Sequence, residues 1–312
     1  MAVVTILGTG AMALYFGSRL ARVGVEVRLL GSWEEGLAAV NRSGICVQEG
    51  ADRACFPALA AADESLFAPI ELVLVLVKSW QTSRAAKQLS RALSPQGIAL
   101  TLQNGLGNAE ILREALGQER TAQGVTTYGA TCLGPGLVRP GGEGTISVQQ
   151  HPRLAPLVEM LRDAGLVVQE VNDLSSLVWG KLVINVGINP LTALLEVNNG
   201  HLLHSPDAVA VMVQAAEEAA ELAARQGIEL DFSDPGESVK SVARVTSQNL
   251  SSMLQDIQRG APTEIEALCG EVVRRGASIG LPAPTNQLLY QLVKAKVELH
   301  REFKDDNSHH IK

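Results

Sequence analysis

Along the first hundred residues, short runs of β-branched and aliphatic residues alternate with longer stretches whose apolar positions follow a helical period. Residues 3–7, 25–30, 72–77 and 98–102 form such runs, each followed by glycine or a polar residue, which is the signature of short strands ending in turns. Residues 72–77 (LVLVLV) contain no polar position, as expected of a strand covered on both faces. Residues 11–22, between the first two runs, read as a crossover helix. This strand–helix–strand rhythm predicts an α/β domain built on a doubly wound parallel sheet. From about Asp173 the pattern changes. Strand-like runs vanish, and helical patterns such as 208–226 and 239–259 take over, punctuated by Pro262, Pro282 and Pro284, the last two following a helix-stopping Gly280. The tail from Arg301, with Asp305, Asp306, Asn307 and Ser308, has no apolar periodicity and is expected to fray. The expectation is a sheet domain over residues 1–171 and an all-helical domain over 172–312.

Composition narrows the function classes. A chain of 312 residues suits two domains, and 46% apolar with 19% charged residues is ordinary globular usage. The net charge of -7, with no cluster of Lys and Arg, argues against a nucleic-acid footprint. The strand-like runs are far too short to cross a bilayer. With residue 3 already opening such a run, no signal segment is read, so a cytoplasmic protein is expected. Cys46, Cys55, Cys132 and Cys269 form no CxxC pair and are expected to be free thiols rather than zinc ligands. His201 and His204 could share a helix face, but they lack a third ligand, so no metal is expected.

The first turn carries the clearest chemistry. Gly8-Thr9-Gly10-Ala11-Met12-Ala13 follows a strand and opens a helix, the context that gives G-x-G-x-x-G/A its meaning. Gly8 allows the tight turn, Gly10 lets a pyrophosphate approach the backbone, and the small Ala13 lets helix and strand pack closely. After the second strand stands Gly31-Ser32, where an NAD-preferring site has a carboxylate for the ribose hydroxyls. Ser32 tolerates a 2′-phosphate and could donate to it, so NADP is favoured over NAD, with Glu34 and Glu35 nearby as a solvated helix start or as ribose ligands. Lys78 and Asn104 follow the third and fourth strand runs, the ends at which open α/β sheets bind ligands, so both are candidates for the nicotinamide ribose and the substrate, though both also suit plain turns.

In the helical half, Lys181, Asn185 and Asn189 recur every four residues within an otherwise apolar segment, so they form one stripe on a helix. Three polar groups in apolar surroundings are costly unless partnered, which suggests either the wall of a ligand cleft or a polar seam against the first half. An ammonium such as that of Lys181 could polarise a ketone and supply its proton. Ser252 and Glu264 could face the same cleft, or Glu264 could simply favour a helix start after Pro262.

In order along the chain, GxGxxA, Val77-Lys78-Ser79-Trp80-Gln81, Gln103-Asn104-Gly105, Gly124-Val125-Thr126-Thr127, W-x-K-x-x-x-N-x-x-x-N-P-x-T from Trp179, N-x-S-S-M-x-Q-D from Asn249 and Thr263-Glu264 resemble the ketopantoate reductases over about residues 3 to 298. That resemblance implies a Rossmann domain followed by a helical domain, and NADPH-dependent reduction of 2-dehydropantoate to pantoate on the route to coenzyme A. It implies Lys181 as general acid and Asn104, Asn185, Asn189, Asn249 and Ser252 as substrate ligands. Glu264 would partner the substrate hydroxyl or the lysine, and Lys78 would lie near the cofactor. A homodimer is implied by the same analogy. The chain departs from the family pattern at Ser32, where many members carry Arg. Two other readings fit the same residues: a related dehydrogenase for a different branched 2-keto acid, and a non-catalytic NADP-binding regulator.

Overall fold

A computed structural model describes the backbone of residues 2–309 and the side chains of residues 2–300. The chain divides into two compact units. One comprises Met1–Gln103 and Asn108–Leu174, the other Asn104–Gly107 and Ser175–Lys312.

The first unit holds twelve strands: β1 (Val3–Leu7), β2 (Glu26–Leu30), β3 (Ile45–Glu49), β4 (Asp52–Phe56), β5 (Leu59–Ala61), β6 (Ile70–Val75), β7 (Leu93–Thr101), β8 (Thr121–Thr126), β9 (Ala130–Gly134), β10 (Leu137–Pro140), β11 (Ile146–Gln149) and β12 (Val168–Val171). Its helices are α1 (Ala11–Arg22), α2 (Glu34–Ser43), α3 (Thr82–Ala92), α4 (Asn108–Leu116) and α5 (Ala155–Asp163). The main sheet runs β12-β11-β8-β7-β6-β1-β2-β5, parallel throughout except where β11 meets β8. The expected doubly wound parallel sheet is present. Its central strands are buried on both faces, Val4, Ile6, Leu74 and Leu100 being enclosed on one side and Leu7, Val73, Val75 and Ala99 on the other, which is why they read as apolar runs.

A second sheet, in the order β4-β3-β10-β9, was not legible in the pattern, because β4 is exposed along nearly its whole length and β9 is largely half-buried. It also corrects the cysteine reading. In the β3–β4 hairpin Cys46 stands directly opposite Cys55, with Cα atoms 4.0 Å apart, and the two form a disulfide. Directly opposed residues of an antiparallel pair have the closest Cβ atoms. Only Cys132 and Cys269 are free thiols.

The second unit is helical: α6 (Ser175–Leu195), α7 (Pro206–Arg225), α8 (Pro235–Val245), α9 (Ser252–Gln258), α10 (Glu271–Ser278) and α11 (Pro284–His309), with a π-turn at Glu266–Gly270 before α10. The apolar α6 is long enough to span a bilayer, yet 67% of its most apolar window lies buried, as in a core helix. It packs closely on α7 because Gly187 lacks a side chain; a Cβ there would come within 2.9 Å of the Met212 carbonyl. The core continues through Ala215, Ala216, Ala219 and Ala223 of α7.

Two expectations are corrected here. The pattern at 239–259 is not one helix, because α8 stops at Val245, Thr246 returns its hydroxyl to the Val242 carbonyl at 2.7 Å, and Ser251 caps α9 by accepting the Leu254 N–H at 3.1 Å. Interior apolar spacing carries across a turn of this length, but the Ser cap is the stronger signal. The tail expected to fray from Arg301 continues α11 through His309; its side chains lie outside the described residues.

Candidate active site

In the first unit the β1–α1 turn separates two kinds of glycine. Gly8 has φ +132°, donates its N–H to the Leu30 carbonyl at 2.7 Å, and could not carry a Cβ, which would sit 3.0 Å from the Leu76 carbonyl oxygen. The fold itself demands that glycine. Gly10 differs: its φ of −84° suits any residue, and a Cβ there would meet nothing within 4 Å. Nothing among the described residues requires glycine at 10, so the open space it leaves is room for a ligand to approach the backbone. Ala11, Met12 and Ala13 open α1, whose N-terminus has neither a side-chain cap nor an acidic residue in its first turn. Uncapped amides at the positive end of a helix form an anion site, so these residues fit a dinucleotide pyrophosphate. Buried Thr9 lies against Gly31, where a Cβ would be 2.7 Å from the threonine methyl.

Ser32 is exposed just beyond β2, and no carboxylate stands between the end of β2 and Trp33. Of the two nearby acids, Glu35 accepts the Trp33 indole N–H at 3.0 Å. Lys78 is half-buried after β6, and its amide donates to Gln81 Oε1 at 3.3 Å. This turn is braced from the end of β7: Gln103 Nε2 donates to the Val77 carbonyl at 2.9 Å and meets Thr82 Oγ1 at 2.8 Å, and Thr82 Oγ1 donates to Asn108 Oδ1 at 2.7 Å.

In the second unit, Lys181, Asn185 and Asn189 lie on successive turns of α6, Lys181 and Asn185 half-buried and Asn189 only 7% exposed. Helices continue beyond an internal proline only when neighbours support them, and α6 continues past Pro190. The neighbour is α9, because Thr192, fully buried, has its hydroxyl 2.7 Å from that of Ser251. The pin sets the stripe on α6 against the start of α9, whose first residue is Ser252. Asn249 stands exposed in the preceding turn, and its carbonyl accepts the Asn199 N–H at 3.0 Å.

Glu264 is 6% exposed and immediately precedes the π-turn, its carbonyl accepting from the amides of Ala267 and Leu268 at 3.1 and 3.2 Å. It interacts electrostatically with Lys181. Burial disfavours the ammonium and pulls Lys181 down from the ordinary lysine range to about 8, while the charge of Glu264 opposes that fall. A lysine so placed holds a proton at neutral pH but releases it readily, which is what a general acid needs. Asn104 is half-buried in the segment counted with this unit.

One residue escaped the sequence reading. Asn199 is 8% exposed, donates through Nδ2 to Thr246 Oγ1 at 2.8 Å, and leaves its Oδ1 buried without a hydrogen-bond partner. Such an oxygen can accept one further hydrogen bond. The only signal was Asn199-Gly200, which reads as a turn dipeptide.

The family model described as "Ketopantoate reductase PanE/ApbA" matches residues 4–153, and its "C terminal" counterpart matches 173–297. The 2-dehydropantoate 2-reductase of Halobacterium salinarum is 35% identical over 298 residues, covering 93% of this chain and 97% of that one. The crystal structure of a PanE/ApbA family ketopantoate reductase from Ralstonia eutropha superposes with a TM-score of 0.89 at 32% identity, covering 96% of this chain and 99% of that one. The ternary structure of D-mandelate dehydrogenase with NADH and anilino(oxo)acetate reaches 0.88 at 25% identity, with the same coverage. With both halves matched, the chain belongs to the PanE/ApbA family of ketopantoate reductases.

Proposed function

We propose that the chain reduces 2-dehydropantoate to pantoate, with NADPH as reductant and Lys181 as proton donor. The observation that carries this reading is the match of both halves to the ketopantoate reductase family, with Lys181 on an apolar helix and interacting with the buried Glu264. The bound dinucleotide would supply a hydride to the keto carbon, its pyrophosphate held by Gly8 to Ala13, with Ser32 and Lys78 as further ligands and Asn104 toward the nicotinamide ribose. As the carbonyl π bond opens, negative charge gathers on oxygen. Lys181 Nζ stabilises that charge and passes it a proton, giving the alcohol and a neutral amine. Glu264 favours return of a proton to the amine, or takes the substrate hydroxyl. Asn104, Asn185, Asn189, Asn249 and Ser252 orient the keto acid through amide and hydroxyl hydrogen bonds, and the unpartnered Asn199 Oδ1 adds an acceptor.

NADPH is favoured over NADH because no carboxylate stands at residues 31–32 to repel a 2′-phosphate. The test is the loss of reduced-nicotinamide absorbance with 2-dehydropantoate, run with each cofactor. Turnover with NADPH that collapses in Lys181→Ala supports the reading. Cofactor binding without turnover of any keto acid would instead support the regulator.

A second reading has its own support, since D-mandelate dehydrogenase, solved with NADH and anilino(oxo)acetate, shares this fold closely. Faster turnover of an aryl or other branched 2-keto acid, above all with NADH, would favour it. A homodimer and a cytoplasmic setting complete the first reading. Sedimentation of the purified chain tests the dimer. The thiol state of Cys46 and Cys55 in alkylated cell extract tests the compartment, since reducing compartments keep thiols free.

A further inference from the structure

Ala267 is hydrogen-bonded on both sides of its backbone to chemically loaded segments. Its N–H donates to the Glu264 carbonyl at 3.1 Å, and its C=O accepts the Leu106 N–H at 2.9 Å. The second bond is possible because of the π-turn. In α-helical register the Glu271 amide would close on Ala267, but it bonds to the Leu268 carbonyl instead, which leaves the Ala267 oxygen for the loop. Leu106, 6% exposed, seats that loop in the same core as Trp179 and Leu182.

The loop sequence is built for this contact. Gly105 and Gly107 flank the seated leucine with φ of +81° and +85°, values that strain any residue with a side chain. A Cβ on Gly105 would lie 2.3 Å from the Ala267 oxygen, a clash with backbone that nothing flexible can relieve, whereas one on Gly107 would meet only the Glu271 carboxylate, at 2.8 Å. A tight approach of backbone to backbone at residue 105 would serve little purpose in a connecting loop that carried nothing. This one carries Asn104.

We propose that Gly105 and the backbone of Ala267 are positioning elements of the active site, fixing Asn104 relative to Glu264 through one residue of the π-turn. The proposal rests on the reading above, in which Asn104 and Glu264 both serve the keto acid. Gly105 is then a positioning residue whose effect on turnover passes through the Asn104 side chain. Removing that side chain removes the reason for holding it in place.

A double-mutant cycle tests this. Misplacement by about an ångström can cost on the order of 100-fold, so Gly105→Ala is expected to lower kcat/KM by about 30-fold or more in the parent chain. In an Asn104→Ala background the same change should cost less than about 3-fold, because coupled residues are non-additive. Equal losses in the two backgrounds would overturn the proposal, since a general packing defect ignores the identity of residue 104. If Gly105→Ala fails to fold, Gly107→Ala shifts the same loop against a softer neighbour and is read through the same cycle. The parent chain keeps the two questions apart. No turnover of 2-dehydropantoate by the parent counts against the assigned substrate, and the cycle is then read on whichever 2-keto acid the parent reduces.

Discussion

The carboxylate of Glu264, at the mouth of a π-turn, raises the proton affinity of Lys181 on α6 against the stronger pull of desolvation. The lysine owes this character to both influences. Without the glutamate the buried lysine would fall further, and without burial it would stay an ordinary surface cation with no tendency to release its proton.

That balance predicts a pH profile. Reduction needs the ammonium, so kcat/KM should hold below pH about 8 and decline above it. In Glu264→Gln the opposing charge is gone, and the alkaline limb should move to lower pH. A limb that stays put in the variant would detach Glu264 from the proton donor.

Lys181→Met should abolish most turnover, by about 100-fold to 10,000-fold, and at the same time stabilise the fold. The folded-state value of about 8 lies below the ordinary lysine value, so between the two the unfolded chain binds more protons and stability rises with pH. At neutral pH the parent therefore bears the cost of a buried ammonium, and the methionine variant should gain about 1 to 3 kcal/mol. Urea melts at pH 7 and above pH 10 (roughly the free-lysine range) check this, the gain shrinking at the higher pH.

The two turn glycines should part company. Gly8→Ala should destabilise the protein by more than about 1 kcal/mol, since it forces a side chain into the left-handed half of the map against the Leu76 carbonyl. Gly10→Ala should melt like the parent, within about 0.5 kcal/mol. Its dinucleotide affinity should fall at least about 10-fold, an effect visible by calorimetry with NADPH alone and no substrate.

Reduction of Cys46–Cys55 opens a short loop, the two residues being 9 apart in sequence. Chain-entropy arguments put the loss near 2 to 3 kcal/mol, roughly. A thiol reductant should therefore lower the melting temperature of the parent but not that of Cys55→Ser.

Where the sequence was readable, burial and backbone geometry imposed a period or a residue type. Helix α1 spans Ala11–Arg22 as expected, because a glycine turn and an amphipathic pattern fixed both ends. The Lys181–Asn185–Asn189 stripe followed from 3.6 residues per turn. The second sheet left no such trace, since the solvent-facing β4 needs no apolar positions. The disulfide depended on hairpin register, and a separation of 9 residues does not state register. The π-turn is a shift of backbone bonding that the composition of Glu266–Gly270 does not announce. Asn199 was hidden because its type and its neighbour Gly200 read as a turn.

The second unit is not a continuous stretch of chain, for Asn104–Gly107 is threaded into it from far upstream. A gene fragment starting at Ser175 would encode the helices but omit Leu106, leaving a vacancy among Trp179, Leu182 and their neighbours. Recombination between relatives with a single crossover near residue 174 would likewise pair one parent's loop with the other's helices. Inheritance of this half is thus a matter of two separate sites in the gene, and a chimaera that respects only the visible boundary carries a mismatched core.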